Sequence, residues 1–208
     1  MRMPSQPFQR RAAAVLFAAA SLALTFSTGM AQAQAWPAKP VTVVVPFPVG
    51  GGTDAFARPL APPLGKLLGQ QIVIDNRGGA GGNLGAGIAS KAAPDGYTWF
   101  MGGVHHTIAP SIYPKLDYDL TRDFVPVAGF ATFVNGLAVS GGTPAKSVAE
   151  YVAWVKSAKG GKDTVGVPAP GSIPEFLVGL IGKKYQLDLQ AAPYRGSAPM
   201  MGDMLGNQ

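Results

Sequence analysis

The residues able to do chemistry in this chain gather where apolar runs end in glycine. Gly50, Gly51 and Gly52 follow "VTVVV" (41–45) and lead into Thr53 and Asp54. Glycines recur in "NRGGAGGNLGAG" (76–87), in "MGGVHH" (101–106), in "PAPGS" (168–172) and in "YRGS" (194–197). A glycine turn between a parallel strand and a helix exposes several backbone N–H groups beside the positive end of the helix dipole. That arrangement attracts an anion without any basic side chain. Glycine also lets a ligand approach closely. Open parallel sheets bring such loops together at the carboxyl ends of their strands, so two facing lobes would trap a small anion between them.

Competing chemistries lack their motifs. "GAGGNLG" has Leu84 where a dinucleotide fingerprint needs glycine, and no glycine stands at P-loop spacing before a Gly-Lys pair. There is no Gly-x-Ser-x-Gly elbow, no cysteine nucleophile and no grouping of acids. His105 and His106 are adjacent, so on a regular element they are expected to point in different directions, and they lack the spaced partners of a zinc site. They bond to loop backbone, or touch a ligand. No cofactor and no metal are expected, and a non-enzymatic protein is the main reading. An exported enzyme using His105 or His106 as a base is a lesser alternative.

The elements needed to position these loops are legible as strand, glycine turn and helix in repetition. "VTVVV", "QIVID" (71–75) and "YTWFMGG" (97–103) read as strands covered on both faces. "DAFARPLAPPLGKLLG" (54–69) has helical spacing, but Pro59, Pro62 and Pro63 predict a kinked or broken helix. Further on, "FVNGLAVS" (133–140) predicts a strand, and "TPAKSVAEYVAWVKSAKG" (143–160) a helix capped by Thr143 with Pro144 in its first turn. "DTVGVPAPGS" and "LDLQAAPYRGS" each give a strand and a turn, with helices at "PEFLVGLIGKKYQ" and "SAPMMGDMLGNQ". This order is the grammar of βαβ units. A first α/β lobe over 36–132 and a second over 133–208 is the expected division.

Arg2, Arg10 and Arg11 precede an apolar run of about 15 residues that exits through "AQAQA". That is the pattern of a secretory signal peptide over 1–35, cleaved near Ala35, and the run is shorter than the ~20 residues of a membrane span. The Sec and twin-arginine routes both stay open. The segment holds three of the 17 bases and none of the 11 acids, so its removal takes the net charge from +6 to +3. The remaining bases are scattered, without the stripe of a nucleic-acid binder, so no nucleic acid is expected. An exported chain without cysteine must be held by its core alone.

Several long stretches, in order, carry a resemblance. "WPAKPVTVVVPFPVGGGTDAFAR" (36–58), "LGQQIVIDNRGGAGGNLGAGIASKAAPDGYT" (68–98), "HTIAPSIY" (106–113), "TPAKSVAE" (143–150) and "PYRGSAPMMGDMLGNQ" (193–208) resemble the extracytoplasmic solute receptors of tripartite tricarboxylate transporters, the Bug receptors. The resemblance implies a periplasmic, two-lobed Venus-flytrap α/β fold with parallel-rich sheets flanked by helices. Such a receptor closes on a small organic carboxylate and delivers it to a membrane permease. Carried onto matching positions, "PVGGGTD" implicates Val49, Gly50, Gly51, Thr53 and Asp54. "GGVHH" adds Gly103 and His105, and "PGS" adds Pro170, Gly171 and Ser172. Asp54 caps the following helix or orders a water; Arg77 braces its turn rather than clamping a carboxylate; Tyr194 lines the cleft or simply packs.

This chain departs from the family pattern in three ways. His105 stands where a small hydroxyl residue is common. The turn "VPAPGSIPEF" (167–176) is altered, and Glu175 would repel a second ligand carboxylate if it faced the cleft. A ligand with an amine or a neutral end fits that charge, unless Glu175 points away. Finally, family members continue past Gln208, which implies a truncated chain with an incomplete second lobe, or a non-functional fragment.

Overall fold

The computed structural model describes residues 35–207. The expected signal peptide therefore lies almost wholly outside the described residues. Residues 35–38 fall in a separate unit from the one that begins at Lys39, and they hold no helix or strand. All elements below belong to the second unit.

Strand β1 (Val41–Val45) is the centre of a three-stranded parallel sheet, flanked by β2 (Ile72–Asn76) and β3 (Thr98–Phe100). Val41 stands opposite Ile72, and Val43 opposite both Ile74 and Trp99. A β-branched run with no polar alternation suits a strand covered on both faces, and Val41, Val43, Val44 and Val45 are all buried. Val41, Val43, Val45, Ile72 and Met101 form a core with Ala57 of helix α1 (Gly52–Leu68), against which Ala61, Leu64 and Leu68 also pack.

Helix α1 is a single helix through Pro59, Pro62 and Pro63, so of the expected kink or break, the break does not occur. The reason is the face they occupy. All three prolines are exposed, so the carbonyls that lose their N–H partners can be hydrated, while the opposite face stays seated on the sheet. After β2, a 3-10 turn (Ala80–Gly82) leads into α2 (Asn83–Ala89). Gly85 lets α2 touch the end of β1: a Cβ there would stand 2.9 Å from the Arg77 carbonyl oxygen and from Pro46 Cα. Helix α3 (Val104–Ile112) follows β3 and carries both histidines.

No helix or strand forms between residues 113 and 147, so the strand expected at 133–140 is absent. Phe133 and Val134 are 70% and 94% exposed. A β-rich sequence becomes a strand only when a neighbour supplies cross-strand packing, and neither sheet pairs with this segment. Helix α4 (Val148–Ala158) starts later than expected. Ser147, not Thr143, is its cap: the Glu150 N–H donates to Ser147 Oγ, and the Glu150 carboxylate turns back to accept from the Lys146 N–H. Ser147 and Glu150 have the spacing of a capping box, which outcompetes Thr143.

The second sheet pairs β4 (Lys162–Val167) in parallel with β5 (Asp188–Pro193), from Lys162 opposite Asp188 to Val167 opposite Pro193. Helix α5 (Ile173–Tyr185) connects them and α6 (Ser197–Leu205) follows β5. Ala145, Tyr151, Val155 and Leu187 form its small core.

Candidate functional site

The loops leaving the two sheets face each other across a cavity of about 250 Å³. Its walls are Phe47, the turn Gly79–Gly82, the stretch Pro168–Pro170, and Pro193–Gly196. Strand-exit loops of both sheets therefore meet, as parallel topology requires. Of the residues expected to bind a ligand, Pro170 alone lines this cavity directly.

The β1–α1 loop is packed against the other side of the cleft. Its three glycine amides are already engaged. Gly50 N–H donates to Asp54 Oδ2 (2.8 Å), Gly51 N–H to the Pro48 carbonyl (3.2 Å), and Gly52 N–H to Ser197 Oγ (2.9 Å). The first-turn N–H groups of Thr53 and Asp54 have no acceptor among the described residues. Val49 is exposed. Asp54 is 1% exposed and does not cap α1. Its carboxylate accepts from Gly50 N–H, Arg58 Nε (2.7 Å) and Asn76 Nδ2 (2.9 Å), tying loop, helix and the end of β2 together. Burial alone would raise its pKa, but these hydrogen bonds and the Arg58 charge outweigh it and hold it below the ordinary value.

His105 and His106 converge instead of diverging, with ring centroids 3.9 Å apart. A Cβ at Gly82 would lie 3.1 Å from Nε2 of both, so both rings fold under a turn that has no side chain to exclude them. His106 is fully buried; its Nδ1 accepts from Gly103 N–H (3.1 Å) and its Nε2 lies 3.4 Å from the Gly82 carbonyl. Those partners assign the proton to Nε2 of a neutral ring. His105 stands edge-on to Phe47, and its buried Nε2 has no partner. Burial, then the neighbouring His106, push its pKa down to about 3.

Where β4 exits, the Gly171 N–H donates to the Glu175 carboxylate, so Glu175 is turned onto its own loop. Ser172 is 6% exposed and stands at the N-cap of α5, yet makes no capping bond, and its Oγ has no partner. Asn83 accepts from Tyr118 OH through Oδ1 (2.7 Å), while its Nδ2 is unpartnered. Tyr113 OH reaches the Pro170 carbonyl at 3.5 Å, joining the first half to the second.

The family described as "Tripartite tricarboxylate transporter family receptor" matches residues 56–208. The chain belongs to this family. It is 35% identical to the protein BugT of Bordetella pertussis over 84% of its length and 54% of that protein's. A solved structure described as a periplasmic transporter aligns with a TM-score of 0.76 and 36% identity over 84% of this chain and 58% of that one. A Rhodopseudomonas palustris protein with adipate aligns at 0.73, with 38% identity over 81% and 56%. The fold is accordingly the α/β fold of periplasmic binding proteins. The chain spans a little over half the length of the relatives it matches.

This family member holds one charged cleft residue that was not foreseen. Arg195 lines the cavity, is exposed, and makes no ion pair or hydrogen bond among the described residues. Its only sequence signal was its place in the strand-exit loop "YRGS". Tyr194 beside it lines the cavity and donates to Asp203 (2.9 Å). Arg77 pairs with Asp75 (2.9 Å) at the end of β2, so it braces the strand. Among the described residues no group of three or more His, Cys, Asp and Glu could hold a metal. No described helix is long and apolar enough to cross a membrane.

Proposed function

We propose that this chain provides the binding cleft of a periplasmic solute receptor, which captures a small organic carboxylate between two lobes, 36–132 and 133–208. It then presents the ligand to the membrane permease of a tripartite transporter. The observation that carries this reading is the pair of abutting helix N-termini beside an unpaired arginine. Helices α1 and α6 meet through the Gly52–Ser197 hydrogen bond, their N-cap residues Gly51 and Gly196 bring no side-chain cap, and Arg195 precedes Gly196. Two positive dipole ends and a guanidinium favour an anion. A volume of about 250 Å³ suits a compact acid. The adipate-bound neighbour supports the ligand class. Binding without turnover and hinge closure of the lobes follow from this reading.

The test is thermal unfolding of the mature chain against a panel of small organic acids, with nucleotides as controls. A bound acid raises the midpoint; saturation at a hundred times Kd is worth about 2.7 kcal/mol. A cooperatively folded protein that responds to no acid would overturn the proposal.

A further inference from the structure

We propose that Asn135 is a modification site, which deamidates spontaneously through a cyclic imide formed with Gly136 and yields aspartate and isoaspartate. This inference is independent of what the cleft binds.

The chemistry needs three conditions at one place. The nitrogen after an asparagine must reach the side-chain carbonyl carbon, that N–H must not be engaged as a donor, and the backbone must be free to bend into a ring. Attack within one dipeptide gains the advantage of proximity when all three hold. Of the four asparagines, Asn135 alone precedes a glycine. Both residues are exposed and lie outside every helix and strand, and neither makes a hydrogen bond among the described residues. A Cβ at Gly136 would meet nothing within 4 Å, so no neighbour crowds the ring as it closes, and glycine brings no side chain to hinder it.

The other candidates are held. Asn76 donates to the Phe47 carbonyl and to Asp54, and accepts from Arg58. Asn83 opens α2 and accepts from Tyr118 OH, while Asn207 accepts from Gly142 N–H. Asp95 also precedes a glycine, but its carboxylate accepts from Tyr97 N–H and Lys39 Nζ. The Tyr97 bond, above all, holds its pKa below the ordinary value, and an ionised carboxylate resists a nitrogen nucleophile.

The Gly136 nitrogen, losing its proton to water or hydroxide, attacks Cγ of Asn135. The N–Cγ bond forms, the Cγ–Nδ2 bond breaks, and Nδ2 takes up a proton and leaves as ammonia. Water then opens the imide: addition at Cγ gives aspartate, and addition at the Asn135 main-chain carbonyl gives isoaspartate, with the chain running through the side chain. The net change is asparagine plus water to aspartate plus ammonia, without oxidation. No charged residue occurs between 124 and 145, so the product places a lone carboxylate between Val134, which is 94% exposed, and Leu137. Burying that stretch against an apolar surface then carries the cost of a charge.

The experiment incubates the purified protein in mildly alkaline buffer and follows each asparagine by peptide mass spectrometry, with isoelectric focusing for the acidic product. Asn135 should convert at least about tenfold faster than Asn76, Asn83 or Asn207, a barrier difference of about 1.4 kcal/mol. Its rate should lie within about threefold of that in a free peptide of residues 130–140, because a segment without packing or hydrogen bonds opens at almost no cost. Gly136→Ala, which the open space around Gly136 accommodates, should slow conversion while leaving the unfolding midpoint unchanged. An Asn135 that converts in the peptide but stays an amide in the protein overturns the proposal. So does conversion spread evenly over the four asparagines, or an alanine variant that reacts as fast as the unsubstituted chain.

Discussion

Gly52 and Ser197 lie 145 positions apart, and the backbone N–H of one donates to the hydroxyl of the other across 2.9 Å. A side chain from the second half thus occupies an amide of the loop that sequence alone left bare. Ser197→Ala should lower stability toward the low end of the 0.5–1.5 kcal/mol typical of a hydrogen bond, about 0.5 kcal/mol, because the contact is exposed. Ser197→Thr should restore it. Urea denaturation of the three proteins measures both effects, and an unchanged alanine variant would show that the contact contributes nothing.

Asp54 is the junction of the β1–α1 loop. Replacing it with alanine leaves the Gly50 amide without its acceptor and removes the carboxylate from Arg58, while Arg58 and Asn76 keep their bond to each other and Asn76 keeps the Phe47 carbonyl. The expected loss is about 2–3 kcal/mol, moderated because the Arg58 side chain is 49% exposed. Asp54→Asn should cost less, since it keeps an acceptor. Chemical denaturation ranks the two variants, and equal losses would contradict the role assigned to the carboxylate.

His105 makes stability depend on pH. Its folded pKa of about 3 lies below the ordinary 6.5, so between those values the unfolded chain binds a proton that the folded chain refuses. Stability should be fully present above about pH 6.5 and be lost as pH falls toward 3, at no more than about 1.4 kcal/mol per pH unit for this group. His106 is shifted in the same direction, so His105→Gln should flatten the profile without abolishing it. Thermal midpoints from pH 4 to 7 decide the matter; a slope identical to that of the unsubstituted protein would refute it.

Arg195 has no partner to lose among the described residues, so Arg195→Gln should leave the unfolding midpoint nearly unchanged. Its loss should weaken acid binding by about tenfold to a hundredfold, the worth of a charge-assisted hydrogen bond. Calorimetry beside a denaturation curve separates these effects. Undiminished affinity would remove Arg195 from the site.

Much of the scaffold was legible because its signals are local. The β-branched run 41–45, the glycine turns and the alternation of strand and helix announced parallel sheets with their loops at one end. Failures came where local pattern lacked a tertiary partner. Residues 133–140 have strand composition but no neighbour to pair with, and Pro59, Pro62 and Pro63 read as breakers because exposure of their carbonyls could not be seen from their order. Arg195 was overlooked as a residue, though not as a loop, since only the fold shows that no acid among the described residues neutralises it.

By its order of residues alone, this chain determined that strands would be parallel, that glycines would sit at their exits, and that its family would be recognisable along nearly all of residues 36–208. Those properties depend on spacing within a few residues. Tertiary structure alone decided which amides are taken, which polar atoms are left unmatched, and that two adjacent histidines converge beneath Gly82. Each of these is a contact between segments distant in the chain, where the free energy depends on geometry that no short stretch contains.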